Sequence, residues 1–273
     1  MKILYFNAYN GKGDEQAYFK LLTDSAVDCD VLCLQEIDSV ADEHKNPFGN
    51  MLNHRPKTVA ALESSHYVYF ATRQSTWTLA GYEQSESDWG MMIAVRKSIA
   101  IVEYREKYIL HSRNAGTKPD LTDLPVMVQA IKIKRDNDDY MWVLNFHGYY
   151  AGGYVDGKTV GKQDTPERVD QAWKLAQFII ELQEDCPVIV GGDFNVDPDT
   201  LLIQKLTELG MHNLIAQYCV PTTRTTIYNA EKKAKWPYAD YVFVDPRLIV
   251  SSFDVDADST ASDHAPILLE LSV

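Results

Sequence analysis

The chain has 273 residues, of which 45% are hydrophobic and 24% charged, and this is typical of one large globular domain. We therefore predict a single domain over residues 1–273. The 26 Lys and Arg residues against 39 Asp and Glu residues give a net charge of −13, which disfavours a protein that coats nucleic acid.

Targeting signals are not evident in the sequence. No window reaches the ~20 apolar residues of a membrane span. The segment 1–7 lacks the apolar core of roughly 7–15 residues that a secretory signal needs. We therefore expect a cytoplasmic protein that needs no obligate protein partner.

Short apolar runs rich in β-forming residues recur along the chain and predict strands. In chain order they cover residues 3–6, 31–34, 67–70, 91–95, 126–133, 141–146, 188–190, 241–244 and 267–271. Strands in hairpin-like and in βαβ succession predict an α/β fold, with two mixed sheets packed face to face and helices outside.

Three helices are predicted between these strands. Residues 16–26 carry apolar side chains at helical spacing, and residues 200–209 precede Gly210, which is a helix stop. The remaining helix has Thr165 as N-cap and Pro166 at its first position, and it extends to Leu182. The side chains that it is predicted to bury are Val169, Ala172, Trp173, Ala176, Phe178, Ile179 and Leu182.

Two segments and the cysteines complete the fold prediction. Residues 44–65 and 105–124 are predicted to be long loops, a type of segment that often selects substrate. No two cysteines form a CxxC pair. We expect small buried hydrophobes rather than zinc ligands or a disulfide framework. The cysteines are Cys29, Cys33, Cys186 and Cys219.

Two polar residues follow the first two predicted strands. Asn7, taken alone, fits an ordinary turn residue. Glu36, in Leu34-Gln35-Glu36, fits either a solvated strand end or a hard oxygen ligand of a metal. Mg²⁺ takes only one or two protein carboxylates and keeps several waters, so a single Glu is compatible with a magnesium site.

A third string, Gly191-Gly192-Asp193-Phe194-Asn195, follows a buried strand. The glycines allow a tight turn and close approach to a ligand. In extended chain, residues two apart point the same way, so Asp193 and Asn195 are predicted to face one point while Phe194 enters the core. The string also fits a simple turn, but this paired spacing after a strand favours a site.

A fourth string, Ser262-Asp263-His264, precedes the last strand. Asp263 beside His264 fits a structural hydrogen-bonded pair as well as it fits catalysis. Asp240, in Ala239-Asp240-Tyr241, precedes another apolar strand and is a candidate to orient His264.

Two further residues complete the set. His147 ends the strand over residues 141–146, and a lone His in such a place is more often structural. Arg224, in Thr222-Thr223-Arg224, is a candidate clamp for a phosphate oxygen, although solvation at the surface is the more common role.

Taken together, these strings resemble the endonuclease/exonuclease/phosphatase superfamily, which has the deoxyribonuclease I-like fold. They are Asn7, Leu34-Gln35-Glu36, Asn145-Phe146-His147, Gly192-Asp193-Phe194-Asn195, Ala239-Asp240-Tyr241 and Ser262-Asp263-His264. The resemblance covers nearly the whole chain. The stretch 161–168 further resembles a bacterial branch of the superfamily. The fold implied is a four-layer α/β sandwich with mainly antiparallel sheets and a site at one edge.

The resemblance also implies a function, the hydrolysis of phosphate esters with Mg²⁺, for which Mn²⁺ can substitute. Glu36 would hold the metal, with Asn7 and Asp263 near it, directly or through water. Asp193 and Asn195 would position or activate the attacking water.

The remaining site residues would act on the phosphate. The resemblance implies that His147 and His264 contact the scissile phosphate and that Asp240 orients His264. A carboxylate beside His264 is expected to raise its pKa, so that the imidazole is cationic near neutral pH. In the deoxyribonuclease I-like subgroup a Glu partners the first His, whereas here Trp89 lies near that place with Asp88 beside it.

Two alternatives to a nuclease-type phosphodiesterase remain. One is a phosphatase of inositol phosphates, lipids or other small phosphate esters, because one fold serves all these activities. The other is a binding protein that has lost activity, which the complete set of motifs disfavours. Nucleic acid is one candidate substrate, but the nearest basic cluster, residues 232–236, fits a solvated loop.

Overall fold

The computed structural model describes residues 1–40, 54–77, 85–111, 125–135, 139–150, 154–155, 158–159 and 161–272. Its helices are α1 (Glu15–Asp28), α2 (Arg55–Leu62), α3 (Pro166–Gln183), α4 (Leu201–Glu208), α5 (Leu214–Gln217) and α6 (Ala230–Lys235). In the described part of the chain, no helix is long and apolar enough to cross a membrane.

The first sheet has six strands, in the spatial order β13-β14-β1-β2-β4-β3. They are β1 (Lys2–Asn7), β2 (Val31–Val40), β3 (His66–Trp77), β4 (Ser85–Arg96), β13 (Val250–Val255) and β14 (Ile267–Leu271). Its β1 and β2 pair in parallel, and its other neighbours pair antiparallel.

The second sheet also has six strands, in the order β11-β12-β10-β7-β6-β5. They are β5 (Ile101–Leu110), β6 (Val126–Lys134), β7 (Tyr140–His147), β10 (Val188–Asp193), β11 (His212–Asn213) and β12 (Asp240–Val244). Here β7 and β10 are the parallel pair. Two short strands, β8 (Tyr154–Val155) and β9 (Lys158–Thr159), form a separate ribbon.

The alternation of side chains in β1 shows how the layers are built. Ile3 and Tyr5 belong to the large core between the two sheets. Leu4 and Phe6 point to the opposite face, where they join a second core with Tyr18 of α1. Because side chains alternate along a strand, a slip of one residue would exchange these two faces, so burial on both sides specifies the register.

Helices cover the outer faces, which confirms the predicted α/β sandwich of two mixed sheets. Helices α1 and α2 pack against the first sheet, and α3 and α4 pack against the second. The predicted N-cap of α3 is also confirmed, because the Thr165 side chain accepts a hydrogen bond from the Arg168 backbone N–H at 3.3 Å. Gly210 follows α4 with φ +79°, a backbone conformation suited to glycine.

One residue of α3 contradicts the predicted buried face. Trp173 is 56% exposed. The buried stripe follows Ala172, Leu175 and Ile179, and position 173 falls outside that helical spacing. The Trp173 ring is covered only in part, by the Lys205 ammonium 4.2 Å from its centre.

The two predicted long loops are also wrong in part. Helix α2 occupies residues 55–62, because Pro56 starts it and Thr58 and Leu62 are buried. Strand β5 occupies residues 101–110, at the edge of the second sheet. Residues 44–53 and 112–124 of these segments lie outside the described residues.

Three of the four cysteines are buried and free as expected, but Cys219 is exposed. It follows α5 with φ +52°, at the turn that ends this helix, so it lies outside the core. Residues 232–236 were expected to form a solvated loop, but residues 232–235 belong to α6, which has the Asn229 side chain as N-cap. Lys232 and Lys235 remain exposed there.

Candidate active site

Three polar residues of the second sheet lie side by side on neighbouring strands. Asp193, the last residue of β10, pairs with His147, the last residue of β7, and with Asp240, the first residue of β12. Because β7 and β10 are parallel, their carboxyl ends reach the same edge of the sheet. The strand register therefore brings these three residues together, and each is at most 3% exposed.

Glu36 reaches this edge through a β-bulge in the first sheet. The pairing of β2 with β4 passes from Gln35 to Ile37, and Glu36 has φ +55°. A bulge leaves one residue unpaired and re-aims its side chain. The strand thus does not end before Glu36, as the sequence suggested, but continues to Val40. Positive φ is strained for a residue with a Cβ, which marks a constrained position.

A buried polar bridge joins the two sheets directly behind the site. Gln35 Nε2 donates to Asn145 Oδ1 at 2.6 Å. Asn145 Nδ2 is 3.0 Å from the Leu34 carbonyl oxygen, 3.1 Å from that of Met92 and 3.1 Å from Gln129 Oε1. Because buried polar groups are costly unless paired, this bridge favours one relative placement of the sheets.

Asp193 lies at the centre of the cluster. Its Oδ2 accepts a hydrogen bond from Asn7 Nδ2 at 3.0 Å. The same oxygen is 3.7 Å from Nε2 of His147 and 3.7 Å from Nε2 of His264. Asn7 Nδ2 also lies 3.2 Å from Glu36 Oε1. The side chain of Asn7 therefore links the carboxylates supplied by the two sheets.

The orientation of Asn7 bears on its expected place beside a metal. Its Oδ1 accepts a hydrogen bond from the Tyr9 backbone N–H at 2.9 Å, while its Nδ2 faces the carboxylates. As placed, Asn7 orients Glu36 and Asp193. Its contact with a metal, direct or through water, stays a prediction.

The turn after β10 differs from the extended chain that the sequence suggested. Asn195 has φ +55°, and its backbone N–H donates to Asp193 Oδ1 at 3.0 Å. Phe194 is fully buried, with its ring centre 5.0 Å from that of Phe146, as predicted. Gly191 serves the core rather than a ligand, because a Cβ there would lie 2.7 Å from the Tyr5 ring.

Asp263 and Arg224 form the opposite part of the site. Arg224 Nη1 is 3.5 Å from Asp263 Oδ2, and Arg224 forms an isolated β-bridge with His264. The guanidinium also stacks over the Tyr228 ring, 4.4 Å from its centre. Arg224 is only 5% exposed, so it belongs to the cluster and not to the solvated surface.

The donor set fits a divalent metal ion. Atoms of Glu36, His147 and Asp193 lie within 4.8 Å of one another. Asp263 Oδ1 is buried and has no hydrogen-bond partner among the described residues. Burial, with Asp193 and Asp263 nearby, raises the pKa of Glu36 to about 7. A divalent cation would offset this repulsion, and carboxylate oxygens are the ligands that Mg²⁺ prefers.

His264 and Asp240 lie within hydrogen-bonding distance, and the orienting role expected of Asp240 stays a prediction. His264 Nδ1 lies 2.8 Å from Asp240 Oδ2 and 2.9 Å from Oδ1, which leaves Nε2 turned toward Asp193 and Asp263. The pKa of His264 contradicts the expected cationic imidazole. Burial and the Arg224 charge lower the pKa of His264 to about 4, and they outweigh Asp263 and Asp193.

His147 has different surroundings. Its ring centre is 5.6 Å from that of Trp89 in an edge-to-face contact, and its Nδ1 has no hydrogen-bond partner in the described part of the protein. Burial, Arg73 and His264 lower the pKa of His147 well below its ordinary value. Among the described residues, no carboxylate therefore pairs with Nδ1 of His147, and Trp89 packs against the ring.

Two buried cations near the site were missed from the sequence. Arg73 lies at a bulge in β3, and its guanidinium carbon is 4.8 Å from the centre of the Trp89 ring. Its side chain donates hydrogen bonds to the backbone oxygen atoms of Pro125 and Gly148. Lys162 lies in the stretch 161–168 and interacts electrostatically with Asp193. The resemblance of that stretch was the one available signal for Lys162, and nothing local distinguished Arg73.

Comparison with protein families identifies the class of this fold and site. Residues 4–264 match the model of the Endonuclease/Exonuclease/phosphatase family. The chain belongs to this family, whose members are typically hydrolases of phosphate esters. No curated protein sequence matches the chain.

Solved structures with the same fold cover the whole chain. A mannosyl-6-phosphatase from Bacteroides thetaiotaomicron has a TM-score of 0.70 and 18% identity, with 100% of both chains covered. The catalytic domain of human Nocturnin, with bound sulfate, has a TM-score of 0.64 and 17% identity, with 100% of this chain and 94% of that chain covered. A family protein from Beutenbergia cavernae has a TM-score of 0.71 and 17% identity, with 100% and 71% covered. At these identities the likeness shows the fold.

Proposed function

We propose that the protein hydrolyses phosphate esters by attack of water on phosphorus, with the help of a divalent metal ion. The observation that carries this proposal is the placement of one carboxylate oxygen, Asp193 Oδ2, among Asn7 and the Nε2 atoms of His147 and His264. A water that donates a hydrogen bond to Asp193 would be oriented toward the phosphate. The two histidine rings would bind that phosphate and would not donate to the water.

The metal would be held by Glu36 and Asp263, with Asn7 beside them, and Mg²⁺ is the proposed ion, with Mn²⁺ as a substitute. When bound, it would supply positive charge that offsets charge on the phosphate and on the leaving group. Glu36 suits this role because its bulge aims the carboxylate at the site. Asp263 suits this role because its Oδ1 is buried without a hydrogen-bond donor among the described residues, and a metal ion would provide the missing positive partner.

Asp193 would position the attacking water and accept its proton. Its two oxygens have different tasks, because Oδ1 accepts from the Asn195 backbone N–H at 3.0 Å and Oδ2 accepts from Asn7. These two hydrogen bonds limit rotation of the carboxylate. A water oriented by a fixed carboxylate needs less ordering when the reaction begins.

The histidines and Arg224 would bind the phosphate oxygens. Nε2 of His264 is available for this role because Asp240 occupies Nδ1. Hydrogen bonds from His147 and His264 and the charge of Arg224 would stabilise negative charge that develops on the phosphate in the transition state. Asp240 acts through His264 and is a positioning residue.

Support for a catalytic rather than a purely binding role comes from the completeness of the cluster. Asp193, Asp263 and both histidines lie close together, and Asn195 contacts Asp193 through its backbone N–H. The similar structures include a phosphatase and a domain with bound sulfate, a tetrahedral oxyanion like phosphate. Nuclease and small-ester phosphatase activities share these central residues, so the centre alone supports phosphate-ester hydrolysis in general.

Replacement of Glu36 tests the metal role. Glu36→Gln keeps the size of the side chain but removes its negative charge, so turnover of bis-p-nitrophenyl phosphate and p-nitrophenyl phosphate should be lost at ordinary Mg²⁺ concentrations. Mg²⁺ titration of the rate measures this, with circular dichroism to check folding. Glu63→Gln, at an exposed position after α2, is the matched control. Wild-type turnover by Glu36→Gln would reject the metal role.

A further inference from the structure

The loop that carries Lys162 is held on both sides by one buried side chain. Arg168, at 1% exposure, donates from Nη1 to the Gly161 carbonyl at 3.1 Å and to the Gln163 carbonyl at 2.6 Å. The Lys162 carbonyl in turn accepts from the Asp197 backbone N–H at 3.0 Å. Three consecutive carbonyls are therefore fixed, and the direction of the Lys162 side chain is set by the scaffold.

A close contact with Trp236 further constrains this loop. Gly161 has φ +59°, which is unfavourable for residues with a Cβ, and a Cβ there would lie 2.6 Å from Trp236 Nε1. Trp236 precedes the segment that leads into Asp240 at the start of β12. The Lys162 loop is thus packed against the segment that delivers a site residue.

The Lys162 side chain extends to this segment and is nearly buried. It is 8% exposed, and its Nζ donates to the Tyr238 carbonyl at 2.6 Å. An ammonium has three N–H donors. Within the described ranges no other hydrogen bond and no carboxylate partner of Lys162 is found, so two donors are left for a ligand. A buried cation with unused donors suits an anionic ligand.

The charges around Lys162 indicate where that anion would lie. Burial and then Arg224 lower the pKa of Lys162 to about 7, whereas the nearby carboxylates Asp193, Asp240 and Asp197 act to raise it. Two neighbouring buried cations repel each other, and an anion that contacts both would offset the repulsion. Lys162 and Arg224 are also electrostatic neighbours of His264, so a phosphate bound by His264 and Arg224 would interact with the charge of Lys162.

We propose that Lys162 is a phosphate-binding residue that acts with Arg224, and that this pair makes the site selective for phosphate monoesters over diesters. This inference rests on the proposed phosphoesterase function and names its substrate class. A monoester dianion has three terminal oxygens for the metal, Arg224 and Lys162. A diester has one negative charge and two terminal oxygens, so it gains less from a second cation.

Paired kinetic measurements test the proposal. Lys162→Met should lower kcat/KM for p-nitrophenyl phosphate roughly 10- to 100-fold, the effect of one charge-assisted hydrogen bond, and that for bis-p-nitrophenyl phosphate by less than about threefold. Lys162→Arg should retain more monoester activity than Lys162→Met. In Lys162→Met, the inhibition constant of inorganic phosphate should rise together with the loss of kcat/KM for the monoester. Lys174→Met, on the exposed face of α3, is the matched control.

Each other outcome has a definite meaning. If Lys162 only ties the loop to Tyr238, Lys162→Met will lower Tm and reduce turnover of both esters equally, and this would overturn the proposal. An unchanged inhibition constant for phosphate would overturn it too. If the wild type hydrolyses neither ester with Mg²⁺, the phosphoesterase proposal fails instead. Calorimetric titration with inorganic phosphate then still tests Lys162, because Lys162→Met should weaken phosphate binding and the control Lys174→Met should not.

Discussion

Two histidines lie at the same distance from one carboxylate oxygen but in different surroundings. Nε2 of His147 and Nε2 of His264 are each 3.7 Å from Asp193 Oδ2. His264 Nδ1 contacts the carboxylate of Asp240, whereas His147 Nδ1 has no hydrogen-bond partner among the described residues. Burial lowers the pKa of both imidazoles.

The difference shows that the two rings are held by different means. His264 is held by a hydrogen bond, which also fixes which nitrogen faces the site. His147 is held by packing against Trp89, behind which Arg73 stacks. Burial, and then the nearby Arg73, disfavour protonation of His147. In the proposed mechanism this ring would therefore act as a neutral hydrogen-bonding group.

The largest effect is expected on the hydrogen-bonded side. Asp240→Asn should lower kcat about 10²-fold with a small change in KM, because the hydrogen bond that orients His264 is weakened. His264→Gln should cause a loss of similar size. The double variant should be little worse than either single variant, because the two residues act as one unit. Steady-state kinetics on one phosphate ester measures all three, and additive losses would show that Asp240 acts independently.

A smaller effect is expected on the packed side. Arg73→Met removes a positive charge from beside His147, so the pKa of His147 should rise while that of His264 stays nearly unchanged. NMR titration of the histidine ring protons measures both in the metal-free protein. The rate should fall by roughly tenfold or less, since no hydrogen bond to His147 is lost. Equal shifts in the pKa values of His147 and His264 would contradict the conclusion that the two rings are held by different means. Arg105→Met, at a surface ion pair, is the control.

How far the sequence could predict this site depends on where each residue lies. Asn7, Asp193 and Asp240 lie at strand ends, where apolar runs meet polar residues, and the motifs located them. Arg73 and Lys162 are buried by tertiary contacts, one through a β-bulge and one through the carbonyls bound by Arg168. No local pattern predicts such burial. The pKa of His264 also depends on burial and on Arg224, which the neighbouring carboxylate alone did not indicate.

Burial also decides which strands of the fold could be predicted. Central strands such as β1 and β10 are buried on both faces and gave clear apolar runs. Strands β5 and β13 lie at sheet edges, and most of their residues are exposed or half-buried. These two edge strands therefore lack the hydrophobic pattern on which their prediction depends.

The pH dependence of metal binding tests whether Glu36 is a metal ligand. The pKa of Glu36 is raised to about 7, above its ordinary 4.5, mainly by burial. The raised pKa of Glu36 therefore contributes stability to the folded protein that is fully present below pH 4.5. This stability is lost as the pH rises through 7, because the buried Glu36 then ionises at a cost in free energy. Mg²⁺ needs the ionised form, so the Mg²⁺-induced rise in Tm should grow between pH 5 and 8. A constant rise across this range would contradict the assignment.

The smallest effect concerns duplex DNA. Weak binding is expected because the net charge is −13 and surface cations such as Arg105, Lys107 and Lys132 pair with carboxylates. Arg113 lies outside the described residues. Binding by Asp193→Ala in Ca²⁺ should fall with salt along a shallow slope. Tight binding at physiological salt, with a slope equivalent to roughly five or more phosphates, would restore a duplex nuclease.

Isotope transfer tests the central claim most directly, because it follows the attacking water itself. The wild-type protein would hydrolyse p-nitrophenyl phosphate or its diester with Mg²⁺ in water enriched in oxygen-18, and mass spectrometry would locate the label. One labelled oxygen should appear in the phosphate-containing product and none in the nitrophenol, and chelation of the metal should stop the reaction. Label in the alcohol product, or turnover that persists without metal, would contradict metal-assisted attack of water on phosphorus.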